Sequence, residues 1–358
     1  MGPLQGIKVV EMSGIGPAPF CAMVLADLGA EVIRIVRPRT PVDPRDVLSR
    51  NRPTVELDIS DSEGKSAVLD LVKHADILIE GFRPGVMEKN GLGPEDCHAV
   101  NPRLIYGRMT GWGQFGPLAH TAGHDINYIA ITGALNSIGR PNETPPPPIN
   151  FVGDFGGGGM LLLVGLLAAI HEVKVSGQGQ VIDAAMSDGT TLLAAFIHGL
   201  RAQGHWNSQR GTNLLDGAAP FYDTYRCSDG RFIAIGAIEP KFYQELRVRC
   251  GLDGSLFDDQ MNVDCWQSQK QALAGLIATH TREHWIGLLE GTDACFAPVL
   301  DWDEAPEHPH NKARETFLTL DGTLHPAPAP RFSRTAAAIP RSAYKGTLDE
   351  IMQRWNRQ

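Results

Sequence analysis

The chain opens on a short β-branched run, Ile7–Glu11, followed by a Gly/Pro loop over Ser13–Pro19. An apolar-rich stretch then predicts a helix over Phe20–Leu28, closed by Gly29. The pattern repeats. Glu31–Val36 and Val55–Ile59 predict strands, and Asp61 stands as the N-cap of a helix over 62–73. Asp76–Glu80 and Leu104–Met109 predict two further strands. Strands that alternate with helices imply right-handed βαβ units and a parallel sheet.

Further along, Gly123–Leu135 predicts an amphipathic helix, and Asn142–Pro148 a stiff extended loop. Gly153-Asp154-Phe155 and four glycines precede an apolar helix over 160–171, and a second helix is predicted over 184–201. Past residue 210 the texture changes. Phe221–Cys227 and Arg231–Gly236 read as a hairpin turning at Asp229-Gly230. Helices near 240–250, 267–279 and 282–290 follow, and a last one near 347–356. The fold class is therefore α/β. A Rossmann-like large domain spans 1–190 and is completed by about 325–358. A smaller α+β domain spans 215–305, with linkers at 191–214 and 306–324.

Charge narrows the choice of ligand. The 358 residues carry 32 Lys+Arg against 41 Asp+Glu, a net charge of −9 with no basic run, which argues against a nucleic-acid partner. The opening residues do not read as a secretory signal, and the longest apolar stretch, Met160–Ile170, is too short to span a bilayer, so a cytoplasmic protein is expected. The six cysteines are far apart with no C-x-x-C, and His308 and His310 have no evident third ligand. No metal site is expected.

The βαβ opening invites a dinucleotide reading, but its glycine fingerprint is incomplete after Gly14 and Gly16. The second strand also ends on Arg37, where a ribose-binding acid would be needed. An arginine there suits a phosphorylated nucleotide better. Two acid–base candidates stand out. His124 lies between Gly123 and a predicted helix start, and Asp154 lies before the glycine run and the buried helix. Each also suits an ordinary capping role.

Gly123-His124-Asp125-Ile126-Asn127-Tyr128, together with Gly153-Asp154-Phe155-Gly156-Gly157-Gly158, closely resembles the α-methylacyl-CoA racemases of the family III CoA-transferase superfamily. Further matching segments are Leu4–Gly16, Arg103–Gly113, Gly177–Ala185, Gly236–Pro240 and Thr292–Leu300, so the likeness runs from about residue 4 to about 332. The resemblance implies an interlocked homodimer in which long linkers cross and each active site lies between subunits. It implies an acyl-CoA substrate, with coenzyme A as part of that substrate and no separate cofactor. His124 and Asp154 become the acid–base pair that inverts a 2-methylacyl-CoA through an enolate. The N–H of Asp125 becomes the candidate donor to the enolate oxygen, and Glu239 orients the histidine. CoA contacts fall on Arg37, on Leu57, Asp58, Ile59 and Ser60, and on Gly123, Asn127 and Tyr128. Arg83 is a further candidate for the thioester. Relatives often carry a basic residue where Pro53 stands; Arg50 and Arg52 are the neighbours able to compensate. Met160 and Met186 suit either the acyl chain or the core. The rival within the superfamily is a CoA transferase with Asp154 as nucleophile, chemistry that does not need His124.

Overall fold

A computed structural model describes residues 2–356. The chain divides into two compact units. Among the described residues the first comprises 2–134, 147–194 and 315–356; the second comprises 135–146 and 195–314.

The first unit is built on β1 (Lys8–Met12), β2 (Glu31–Val36), β3 (Pro53–Glu56), β4 (Ile77–Glu80), β5 (Ile105–Thr110) and β6 (Val181–Ala185). With a two-residue strand, Tyr344–Lys345, at one edge, the sheet order is Tyr344–Lys345, β3, β2, β1, β4, β5, β6. All pairs are parallel; Glu11 faces Arg34 across β1 and β2, and Glu80 faces Arg108 across β4 and β5. Alternate residues point to opposite faces, and both faces are covered, as a parallel sheet requires. Val9, Val32, Ile77 and Ile79 meet Cys21, Ala22 and Leu25 of the helix Pro17–Asp27 and Leu162 and Leu166 of the helix Leu161–Ser176. Val10, Ile33, Ile35, Val55 and Leu78 meet Val68 and Leu71 of the helix Ser62–Val72 and Ile351 and Trp355 of the C-terminal helix Leu348–Asn356. Asp61 caps its helix as expected, accepting from Gly64 N at 2.7 Å.

Several elements differ from the sequence-based expectation. The strand expected over Val55–Ile59 is β3, two residues earlier, and Leu57–Ser60 form the turn after it. The helix expected over 123–135 is shorter, Asp125–Ala130, and Gly133 soon follows with φ 85°. Residues 184–201 begin in β6 and continue as two helices, Met186–Leu193 and Ala195–Ala202. The apolar helix starts earlier than expected. Phe151–Met160 is already helical with a wide π turn, Phe155 N donating to Asn150 O five residues back, and it runs directly into Leu161–Ser176. The joined helix, 151–176, is long and apolar enough by length and composition to cross a membrane, unlike the stretch considered above. Here Leu162, Leu163, Leu166 and Ala169 seat it on the sheet.

The second unit carries β7 (Tyr222–Arg226), β8 (Phe232–Gly236) and β9 (Phe296–Val299) as an antiparallel sheet in that order. The hairpin turn contains Asp229-Gly230, with Gly230 at φ 81°, which glycine takes without steric cost. Ile233 and Ile235 pack with Leu246, Leu273, Ile277 and Trp285 from three helices.

Candidate active site

The strand order places a switch point between β1 and β4, whose following loops diverge. In open α/β sheets ligands bind outside the carboxyl ends of the strands at that point. Two clefts lie there. The first, about 770 Å³, is lined by Met12 at the end of β1 and Ser13 after it, Ile35–Thr40 at and beyond the end of β2, Leu57–Ser60 after β3, and Phe82, Val86 and Asn90 after β4. The second, about 570 Å³, is lined by Ile15–Ala18, Gly81–Pro84, Met109–Trp112, Gly123, His124, Tyr128, Asn150, Asp154 and Met186 among others. Phe82 lines both.

The structure thus brings Arg37 and Leu57–Ser60 to one cleft, and Arg83, Gly123, Tyr128, His124 and Asp154 to the other. Arg37 is exposed and makes no salt bridge among the described residues. Asp58 is less suited to a phosphate. Its Oδ1 accepts from Ser60 N at 3.0 Å and Ser60 Oγ at 2.6 Å, and those bonds hold its carboxyl below the usual range. Arg50 and Arg52 do not compensate for Pro53. Arg50 is buried and donates from Nε to Asp27 Oδ1 at 3.1 Å, and Arg52 is buried on Glu11 at 2.5 Å. Each is fixed inside the fold by its own carboxylate.

His124 is the residue before the helix Asp125–Ala130. Its backbone N–H donates to Asn127 Oδ1 at 3.0 Å, while its side chain is exposed. Asn127 therefore fixes the histidine's backbone; it is not among the residues lining either cleft. Tyr128 is largely buried, and its hydroxyl donates to Gly123 O. Its ring packs edge-on against Trp112 with centroids 4.8 Å apart. A Cβ on Gly111 would lie 2.0 Å from the Tyr128 ring and one on Gly123 2.7 Å from it, so the ring is wedged between the strand end and the segment that carries His124.

Asp154 is half-buried in the π turn. Its backbone N–H donates to Asp125 Oδ1 at 2.7 Å, and its Oδ2 accepts from Asn150 Nδ2 at 3.2 Å. Asp125 itself is buried, and its Oδ2 has no partner. Asp154 Oδ2 also lies 3.1 Å from where a Cβ of Gly16 would stand, at the start of the helix Pro17–Asp27. Burial pushes the Asp154 carboxyl up, with the neighbouring Asp125 charge adding; the Asn150 bond and His124 oppose. The sequence marked Asp154 as a residue before a helix; in the structure it is inside one. The carboxylate of Asp125 and the Asn150 bond carried no sequence signal of their own.

Glu239 belongs to the second unit, where it is exposed and precedes the helix Pro240–Cys250. Met186 lines the second cleft, whereas Met160 is 42% exposed and lines neither. Among the described residues no cluster of three His, Cys, Asp or Glu is arranged to hold a metal.

Residues 4–346 match the sequence model of CoA-transferase family III. The chain belongs to CoA-transferase family III. Within the family it is similar to the alpha-methylacyl-CoA racemases of Mus musculus and Homo sapiens, 46% identical to each over 335 residues, which is 93% of this chain and 87% of theirs. A crystal structure of a CAIB/BAIF family protein from Brucella suis superposes with a TM-score of 0.82 at 26% identity, covering 99% of both chains. The family III fold thus accounts for the parallel sheet, while the racemase likeness spans both units.

Proposed function

We propose that this family III member interconverts the (R) and (S) forms of 2-methylacyl-CoA thioesters by two-base 1,1-proton transfer. The observation that carries the reading is the presence of His124 and Asp154 on the walls of one cleft at the switch point of the sheet. The α-hydrogen of a thioester is weakly acidic. In one direction neutral His124 removes it, and protonated Asp154 delivers a proton to the opposite face. In the other direction the carboxylate is the base and the imidazolium the acid. The reaction therefore links the protonation of one group to that of the other. Burial keeps the Asp154 carboxyl above its ordinary range, which favours the protonated form that the first direction needs. The N–H of Asp125 is the proposed donor to the enolate oxygen, a role worth about 3–4 kcal/mol. Arg37 and the Leu57–Ser60 turn provide a cleft for the nucleotide end of CoA, and Arg83 stands at the wall of the second cleft. Phe82, Met109, Trp112 and Met186 give that second cleft apolar surface for the acyl group. We include a homodimer in the proposal; a fully active monomer in sedimentation at assay concentration would remove that part.

The test uses (R)- and (S)-2-methylacyl-CoA esters in D₂O. Wild type should invert both and take up α-deuterium. H124A and D154A should each lose at least about 10²-fold in turnover, since a positioned acid or base contributes roughly 10²–10⁴-fold. Full activity in either variant would reject the two-base assignment. Trapping of an Asp154 hydroxamate by hydroxylamine during turnover would replace it with CoA transfer through an acyl–aspartyl anhydride.

A further inference from the structure

A buried ionic chain lies outside the acid–base pair and ends on the loop shared by the two clefts. Glu80 is the last residue of β4 and is 1% exposed. Its Oε2 accepts from Phe82 N at 2.7 Å, and its Oε1 accepts from Arg108 Nε at 2.9 Å. Arg108 faces Glu80 across β4 and β5 and donates from Nη1 to Glu88 Oε1 at 2.8 Å and from Nη2 to Glu88 Oε2 at 3.3 Å. Glu88 belongs to the helical turn Val86–Lys89, whose Val86 N donates back to Arg83 O at 3.2 Å. The segment Gly81–Gly85 is thus tied at its start by one arm of the chain and just beyond its end by the other. It is the segment that carries Phe82 into both clefts and Arg83 and Pro84 into the second, while Val86 beyond it lines the first.

We propose that Glu80, bridged by Arg108 to Glu88, is a positioning residue that sets the 81–85 loop for the CoA thioester without taking part in proton transfer. The inference rests on the proposed acyl-CoA reading. A carboxylate can accept from the Phe82 amide and the Arg108 guanidinium at once, and both bonds are strongest while it is charged. Burial pushes the Glu80 carboxyl up to about 7, opposed by Phe82 N and Arg108 and assisted by Glu88; Arg108 and Glu88 are the charged groups acting on it. Above that pH the carboxylate holds the loop. Below it the group takes a proton, the loop loses a charged anchor, and substrate binding weakens.

The test pairs E80Q with E88A, each checked for native circular dichroism and thermal unfolding. Two quantities are read: racemisation kinetics with a 2-methylacyl-CoA, and the Kd of free CoA by calorimetry, which does not depend on turnover. In E80Q, KM and the CoA Kd should rise about tenfold or more with kcat within about threefold. E88A, which leaves the buried pair intact, should raise both about threefold. Wild-type KM should rise as pH falls through about 7, and E80Q should lose that dependence. Unchanged KM and Kd in the folded variants, or a fall in kcat alone, would overturn the proposal. Absence of α-proton exchange in wild type with CoA binding intact would instead count against the racemase reading, and the Kd comparison would still judge Glu80.

Discussion

Asp125 does two jobs at the residue scale. Its backbone opens the helix after His124, and its buried carboxylate holds the amide of Asp154. Replacing Asp125 by Asn keeps an acceptor for that amide but removes a negative charge beside Asp154. That charge raises the Asp154 carboxyl, so its removal lowers it. In the direction in which Asp154 is the acid, kcat at neutral pH should then fall in D125N because less Asp154 is protonated, and the limb of the profile governed by Asp154 should move to lower pH. A pH–rate profile of the two enzymes checks this; superimposable profiles would separate the carboxylate from the tuning of Asp154. Which residue types could carry acid–base chemistry was legible from His124, Asp154 and their glycine-flanked contexts. Their supports were not, because Asn150, Asn127 and Gly16 act through contacts that only folding creates.

At the scale of elements, close approach governs the glycines. Gly157 and Gly159 leave no room for a Cβ, which would fall 2.7 Å from Thr190 N and 2.8 Å from Pro17 O. They let the π-helical segment pack on the helices Met186–Leu193 and Pro17–Asp27. From the sequence the four glycines are expected before the apolar helix, since glycine is a poor helix former; in the structure they lie within the helical segment Phe151–Met160, where helix packing overrides that preference. β6 was missed for a related reason. Val181–Ala185 is the edge strand, with alternating exposure, and it runs straight into a helix. The strands β1, β2, β4 and β5 were legible because both of their faces are buried and their apolar runs are nearly continuous. Gly111 offers a direct test of the wedge formed by Tyr128. G111A should lower unfolding free energy by about 1–3 kcal/mol, the usual cost of overpacking. G275A, on an exposed helix position with nothing within 4 Å of its Cβ, should raise it by about 0.5–1 kcal/mol. Urea unfolding of both variants checks the pair.

On the scale of the whole molecule, the first unit is closed by its last segment. Arg50 donates to Pro326 O at 2.6 Å while paired with Asp27, and Arg341 N donates to Asn51 Oδ1 at 2.7 Å. His325 lies beside this pair, fully buried, with neither ring nitrogen hydrogen-bonded. Burial, and then the Arg50 charge, lower its pKa in the folded protein. The unfolded chain, with an ordinary value of about 6.5, then binds a proton that the folded chain refuses. Stability from this group is whole above about pH 6.5 and declines as pH falls below it, at up to about 1.4 kcal/mol per pH unit. Urea titrations at pH 7.5 and 5.5 should show the loss in wild type and a smaller one in H325Q; equal losses would clear His325 of the effect.

Every strand of the main sheet points the same way, and that has a practical result. The proposed acid–base pair lies at the carboxyl ends of the strands, whereas the stitching of the final segment to Asp27, Arg50 and Asn51, which precede β2 and β3, sits at the other. On the proposed mechanism, acid would therefore silence the enzyme from two ends: by protonating the acid–base pair, or by unpicking the seam on the far side. The first loss reverses the moment the buffer is restored, and the second waits for the chain to refold.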